Sequence, residues 1–208
     1  MQDAGIKGLF ALLLLLFIGM RVYYYRKALY EGGAVTYHEP RLMLLVGIRL
    51  IGGVFLLSVL LLYFIAPQWL AWAALPLPFE LHLCGLFLGY SALLWLWWTQ
   101  WTIGKNFSSI LHARECHTLV MHGPYHWVRH PMYSGFYLFL LAWLLISANW
   151  AVVVPALLGL TSVLVNRLEQ EEAIMIELFG DKYRAYMQRT GRFFPHWRPA
   201  PVTQPYRR

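Results

Sequence analysis

The long apolar runs limit this chain most, because inside a lipid layer a backbone can satisfy its hydrogen bonds only as helix or as a closed barrel. Five long apolar runs, at 6–25, 42–65, 80–101, 132–147 and 150–166, read as membrane helices. A helix needs about 20 residues to cross the hydrocarbon layer, and the first three runs reach that length. The last two are shorter and are joined only through Ser147, Ala148 and Asn149, which predicts a tight helical hairpin. Charged residues make up 13% of the 208 and hydrophobic residues 59%. A soluble domain carries about 25% charge, so the expected fold class is an all-α integral membrane protein. It has about five transmembrane helices in a single domain, 1–208.

Charge placement orients these helices. With five spans, loops 26–41 and 102–131 and the tail after 166 share one side. Nearly all lysines and arginines fall there, Lys7 and Arg49 excepted. The positive-inside rule then puts the N terminus outside and the C terminus in the cytoplasm. Arg21, Arg26 and Lys27 follow the first run instead of preceding it, as in a retained membrane helix and unlike a signal peptide. The net charge of +7 lies beside apolar runs, so anionic lipid headgroups of the bilayer are the expected partner and nucleic acid is not. Arg49, about two turns from the cytoplasmic end of its run, is compatible with a snorkelling side chain or with a buried role, and Gly47, Gly52 and Gly53 beside it read as a surface for close helix approach. Cys84 lies in an apolar run and Cys116 in a polar loop, so no disulfide is expected.

Between the second and third runs, 67–78 carries Trp69 and Trp72 among prolines, which suits an interfacial loop. Residues 168–188 mix apolar and charged positions at helical spacing, with a break or cap near Gly180, and predict an amphipathic helix on the membrane surface. The proline-bearing stretch RFFPHWRPAPVTQPYRR after it reads as loop or extended tail.

One polar segment stands apart. HGPYHWVRHPMYSG, 122–135, holds three histidines, an arginine, two prolines and three other large aromatics between oily helices. Histidines 112, 117, 122, 126 and 130 share this loop region with Cys116, but Gly123 and Pro124 break any helix that would align them, and Pro131 biases His130 away from helical geometry. No HExxH or paired CxxC occurs, so no metal is expected. The chain also lacks the glycine-rich nucleotide motifs and a GxSxG elbow, which argues against a grafted nucleotide fold and against serine hydrolase chemistry.

A second polar segment, NRLEQEE at 166–172, leaves the fifth run. Arg167 and Glu171 are one helical turn apart, which alone is compatible with a local ion pair. The hairpin changes that reading. The knot enters the fourth helix and NRLEQEE leaves the fifth, so both emerge on the same side as neighbours. Together they can form a pocket at the membrane surface. Pro131 suits a first helical turn, whose free amides attract anions.

GKNFS at 104–108, HTLVMHGPYHWVRHPMYSG at 117–135, RLEQEE at 167–172, FGDKYRAY at 179–186 and Pro195, in this order, resemble the isoprenylcysteine carboxyl methyltransferase family and its relatives among membrane phospholipid methyltransferases. The resemblance covers about the C-terminal half, 104–196. It implies an enzyme that uses S-adenosylmethionine without a Rossmann fold, with a cytoplasmic C-terminal helical segment closing the cofactor pocket. Carried over by position, the cofactor-binding residues are His117, Thr118, Leu119, Val120, Tyr125, His130, Pro131, Met132, Tyr133 and Glu171. Arg167 matches the arginine that binds the substrate carboxylate, and with Glu171 forms the catalytic pair. A glutamine that precedes the HTLV segment in the eukaryotic enzymes has no clean counterpart, and the gapped alignment offers His112 or Ile110. The N-terminal half matches only in hydropathy, so the lipid specificity does not transfer.

The resemblance thus implies methyl transfer to a lipidic or prenylated acceptor, an isoprenylcysteine-like carboxylate before others. Such a displacement gains most from positioning. An ionised carboxylate needs an orienting cation and no base, whereas an amine acceptor would need to lose a proton first. Competing readings are a phospholipid N-methyltransferase, an NADPH-dependent sterol or isoprenoid reductase, and a non-catalytic membrane scaffold. The Arg167 charge disfavours an ammonium headgroup.

Overall fold

The computed structural model describes residues 2–32, 40–104 and 118–196, with the backbone alone at 2–3, 28–29, 31–32, 40–49 and 166. All five apolar runs are helices: α1 (Gln2–Gly32), α2 (Pro40–Ile65), α3 (Phe79–Ile103), α4 (Pro131–Ser147) and α5 (Trp150–Phe179), followed by the short α6 (Asp181–Arg189). Among the described residues there is no sheet, only two isolated bridges. Three helices are long and apolar enough to cross a membrane alone, over Ala4–Lys27, Phe79–Ile103 and Trp150–Phe179. Leu50–Ile65 and the 3-10 turn Pro67–Ala73 form a pair bent by 108°, and α4 is a shorter apolar helix. The chain is therefore an all-helical, multi-pass integral membrane protein.

The centre of the bundle is the α3–α4 pair, brought together by missing side chains. A Cβ on Gly85 would stand 2.7 Å from Leu145 Cβ and 2.9 Å from the Ile146 amide nitrogen. One on Gly135 would meet Leu96 at 2.6 Å. Small residues at helix contacts let backbones approach, and the dispersion gained across such a contact is the main attraction available in lipid. The expectation for α2 is corrected here: Gly52 and Gly53 have nothing within 4 Å of a built Cβ. Both are exposed on the bundle surface. The side chain of Arg49 and the surroundings of Gly47 lie outside the described residues.

Aromatic rings fasten α1 and α2 to this pair. Phe17 stacks on Phe139 with centroids 4.5 Å apart, and Phe10 meets Tyr63 of α2 and Trp143 of α4 edge-on, each at 6.0 Å. The guanidinium of Arg21 lies 5.4 Å over the Phe136 ring, so the basic end of α1 is held against α4.

The predicted hairpin forms at Ala148, whose left-handed φ of 44° lets the chain reverse within two residues. Asn149 then caps α5 by accepting from the Ala151 amide at 3.1 Å, while its own amide donates to the Leu70 carbonyl at 2.8 Å. The turn is thus pinned to the 3-10 segment that carries the exposed Trp69 and Trp72.

The stretch 168–179 corrects a second expectation. It is the continuation of α5 and not a separate surface helix. No glycine or proline interrupts the chain between Gly159 and Gly180, whose φ of +51° ends α5 and starts α6. The polar residues of 167–172 therefore ride on the same rigid rod as the fifth apolar run.

Candidate active site

The site is built where α4 begins and α5 turns polar. The chain enters through the irregular stretch Thr118–Val120, with Thr118 exposed and Leu119 and Val120 half-buried. Gly123, at φ +60°, opens a 3-10 turn (Gly123–His126), and the close approach of Thr102 leaves no room there for a side chain. The Trp127 ring lies parallel to Trp95 at 6.1 Å and edge-on to Trp98 at 5.6 Å. Pro131 stands at the first position of α4, where its missing N–H costs nothing. Its carbonyl accepts from Trp95 Nε1 at 2.9 Å, which docks the start of α4 on α3.

Two adjacent carboxylates meet this turn in different ways. Glu171 accepts from the Tyr133 hydroxyl at 3.0 Å, lies 3.5 Å from Arg167 Nη2, and faces His130 Nδ1 at 3.7 Å. Glu172 faces the other ring nitrogen of His130 at 3.2 Å and accepts from Arg129 Nε and Nη2, both at 3.3 Å. It also accepts from Arg192 through Nε at 3.2 Å and through Nη2. The His130 imidazole thus sits between the two carboxylates. The side chains of Glu172 and Arg129 are only 6% and 9% exposed, against 25% and 26% for Glu171 and Arg167. A buried charge is tolerated only when paired and hydrogen-bonded, and Glu172 is saturated with partners. Glu171 and Arg167 are each about a quarter exposed and have fewer partners than Glu172, which leaves them the freer pair to act on a ligand.

Arg129 carries the network into the C-terminal segment. Its Nη1 donates to the Met187 carbonyl at 3.0 Å and also to the Thr190 carbonyl, which terminates α6. The backbone follows: the Arg129 amide donates to the Gly191 carbonyl at 2.8 Å and the His130 amide to Arg192 at 3.1 Å. Ser134 Oγ donates to the Phe193 carbonyl at 2.7 Å, and the Phe193 and His130 rings lie 6.1 Å apart. From α6, the Tyr186 hydroxyl reaches the Tyr125 carbonyl at 2.5 Å. Burial raises the Tyr125 and Tyr186 phenols above their ordinary range, and burial with the Glu172 charge pushes Tyr183 up to about 12. All three therefore stay protonated near neutral pH.

Several buried polar atoms have no partner among the described residues. Arg167 Nε is one, and the others are Gln100 Oε1, Thr102 Oγ1 and, in the bundle core, Trp143 Nε1. No group of three or more His, Cys, Asp or Glu side chains in metal-binding geometry occurs among the described residues. His122 and His126 are exposed, while His130 is turned to the carboxylates.

Of the site residues expected from sequence, Tyr125, His130, Tyr133, Arg167 and Glu171 share one neighbourhood, with Pro131 and the half-buried Met132 as the backbone between them. His112 and His117 lie outside the described residues, as does GKNFS beyond Gly104. Sequence reading passed over Glu172, Arg129, Arg192 and Tyr186. A signal for Glu172 existed. Its neighbours one turn away on the helix, Leu168, Glu169, Met175 and Ile176, include no basic residue, so any ion-pair partner has to come from another segment.

Residues 83–177 match the isoprenylcysteine carboxyl methyltransferase family. That stretch runs from α3 through the cradle and the hairpin to both carboxylates. Similar proteins include the protein-S-isoprenylcysteine O-methyltransferases of Schizosaccharomyces pombe, 32% identical over 94 residues, and of Homo sapiens, 31% identical over 98 residues. The Tribolium castaneum protein of the same name is 30% identical over 96 residues. These alignments cover 44 to 46% of this chain and span only 34 to 40% of the relatives' own length. The solved structure of a eukaryotic intramembrane Ras methyltransferase, isoprenylcysteine carboxyl methyltransferase, superposes with a TM-score of 0.57 at 21% identity. It covers 94% of this chain and 68% of that one, so the likeness in fold extends into the N-terminal helices.

Proposed function

We propose that the protein is a membrane methyltransferase that moves a methyl group from S-adenosylmethionine to the carboxylate of a lipidic, isoprenylcysteine-like acceptor. The observation that carries this reading is Arg167. Its side chain is three-quarters buried, with Nη2 3.5 Å from Glu171, and its Nε has no partner among the described residues. A buried N–H of this kind calls for an acceptor. A carboxylate fits it best, because guanidinium presents a planar fork that matches two oxygens.

S-adenosylmethionine, when bound, supplies a methyl group activated by a sulfonium and leaves as a neutral thioether. The residues present suit such a group. Glu171 offers negative charge for the cation, and Tyr125, Tyr133, His130 and Met132 give a mixed aromatic and polar wall beside it. His117, Thr118, Leu119, Val120 and Pro131 belong to the same binding set by family pattern, with His112 at the gapped position. The acceptor carboxylate is ionised near neutral pH. Arg167 therefore has only to orient it, and the rate gain comes from holding carboxylate and methyl in line. The C-terminal segment, 186–193, is hydrogen-bonded along that end of the site. The whole chain, 1–208, acts as one domain in this reading, with the N terminus outside and the site at the cytoplasmic face, where the basic residues gather.

Calorimetric titration of the detergent-purified protein with S-adenosylmethionine and with NADPH tests the reading. Binding of the first is expected. Binding of NADPH alone would replace the methyltransferase with a reductase. Labelled methyl donor offered with a prenylcysteine analogue should yield a base-labile ester. Base-stable label on phosphatidylethanolamine would instead mark an amine acceptor.

A further inference from the structure

Lys7 stands at the end of the bundle opposite the Arg167–Glu171 pair, away from nearly every other lysine and arginine. It lines a cavity of about 380 Å³ formed where α1, α3 and α5 begin, α2 and α4 end, and the 3-10 turn Pro67–Ala73 crosses between them. Ligand sites run from about 300 to 1,000 Å³, so the space holds a small polar group. The whole of α4, 17 residues or about 25 Å of helix, separates it from the cradle.

Three polar groups lining this cavity have bonding capacity left over. Lys7 Nζ lies 5.5 Å from the centroid of the Tyr63 ring, on the same wall, and no carboxylate among the described residues lines the cavity. The Lys7 charge therefore sets its sign. His82 Nδ1 lies 2.9 Å from the Ile146 carbonyl. A carbonyl only accepts, so Nδ1 carries the hydrogen and Nε2 of the neutral ring is left as an acceptor. Gln68 is exposed, and its carboxamide, which both donates and accepts, makes no hydrogen bond among the described residues.

The surroundings put the cavity at the depth of lipid headgroups. Trp69 and Trp72, on the 3-10 turn that lines it, are exposed, and Trp72 meets Trp150 edge-on at 4.8 Å. Tryptophan gathers at the boundary between membrane and water. Leu9, Leu61 and Leu62, further toward the middle of α1 and α2, are exposed and offer apolar surface to acyl chains. An ammonium headgroup would meet the Lys7 charge with no carboxylate to hold it, and a purely apolar ligand would leave all three polar groups without partners. We propose that this cavity binds the headgroup of an anionic, hydroxyl-bearing phospholipid, with the phosphate on Lys7 and a hydroxyl donating to His82 Nε2. Gln68 serves either group. The bound lipid ties the start of α1 to the α4–α5 hairpin, whatever reaction the other end performs.

The test is titration of the full chain in detergent with phosphatidylglycerol, phosphatidylcholine and soluble glycerophosphoglycerol, read by native mass spectrometry. The unaltered protein should bind phosphatidylglycerol at least about tenfold more tightly than phosphatidylcholine, the scale of a hydrogen bond to a charged group. Lys7→Gln should lose about tenfold for phosphatidylglycerol alone, Lys7→Arg should retain the affinity, and Gln68→Leu should show a smaller loss. Lipid-free unfolding temperatures of the variants should match the parent. Undiminished phosphatidylglycerol binding in Lys7→Gln would overturn the proposal, as would equal binding of the two lipids by the unaltered protein. Glycerophosphoglycerol bound as tightly as the lipid would overturn it in favour of a soluble anion. Should Lys7→Gln fail to fold, Gln68→Leu, at an exposed position, decides: an affinity equal to the parent's then overturns the proposal.

Discussion

The hydroxyl of Tyr133, on α4, donates to Glu171 Oε1, on α5, at 3.0 Å. The same oxygen is the one Arg167 approaches at 3.5 Å, so a tyrosine and an arginine from different sides fix one carboxylate oxygen. The second oxygen faces His130 at 3.7 Å, too far for a hydrogen bond. Glu171 is therefore aimed but not saturated.

Tyr133→Phe removes the aiming bond and keeps the ring. A hydrogen bond to a charged group contributes about 1.5–3 kcal/mol, and the partial exposure of Glu171 reduces this. The expected outcome is roughly a tenfold weaker affinity for S-adenosylmethionine, with little change in unfolding temperature. Glu171→Ala should weaken affinity at least as much and lower turnover as well. Unaltered affinity in both variants would remove Glu171 from the binding site.

Arg129 and Arg192 both bind Glu172, yet they should differ in cost. Arg129 is 9% exposed and has nowhere to send its charge, whereas Arg192 is 44% exposed and already partly wet. Removing one partner of a buried pair costs about 3–5 kcal/mol, and exposed pairs contribute about 0–1 kcal/mol. Arg129→Ala is expected near the first figure and Arg192→Ala near the second, measured by thermal unfolding in detergent. Equal losses would mean that exposure does not govern this network.

Much of this site was legible in the sequence because it follows from connectivity. Two short apolar helices joined through Ser147, Ala148 and Asn149 must place HPMY and RLEQEE side by side, whatever else the bundle does. The Glu172 network was not legible, because Arg192 is 20 residues and Arg129 43 residues away and only tertiary packing joins them. Helix boundaries on α5 were missed for a different reason. The change from apolar to charged residues at Arg167 marks where the rod leaves the apolar layer, and helix propensity continues through Glu and Gln to Gly180. Glycine patterns misled in the same way. Gly52 and Gly53 look like a packing surface, but a glycine is informative only when a neighbour occupies the missing volume.

Arg167→Lys keeps the positive charge and loses the fork. If Arg167 orients an acceptor carboxylate, this variant should raise KM for a prenylcysteine analogue by about tenfold or more, the loss expected when two parallel bonds become one. Affinity for S-adenosylmethionine should change little. Arg167→Ala should lower turnover further. A lysine variant with unchanged KM would leave charge alone as the contribution of Arg167.

Gly85→Ala tests whether the α3–α4 contact sets the stability of the bundle. The new methyl would stand 2.7 Å from Leu145 Cβ and 2.9 Å from the Ile146 amide nitrogen, and neither atom can move without shifting α4 as a body. At Gly135 the nearest atoms are Leu96 Cδ2 and Cγ and a Trp95 ring carbon, all on side chains, which can give by rotation. Overpacking a close-packed contact costs about 1–3 kcal/mol, so Gly85→Ala is expected at or above the top of that range and Gly135→Ala below it. Gly52→Ala is the control, because nothing lies within 4 Å of its Cβ and alanine is the better helix former by about 1 kcal/mol. Thermal unfolding of the three variants should therefore rank Gly52→Ala highest and Gly85→Ala lowest. A Gly85→Ala protein as stable as the parent would mean that α3 and α4 have freedom to separate, and the docking of Pro131 on Trp95 could not then hold the cradle in place.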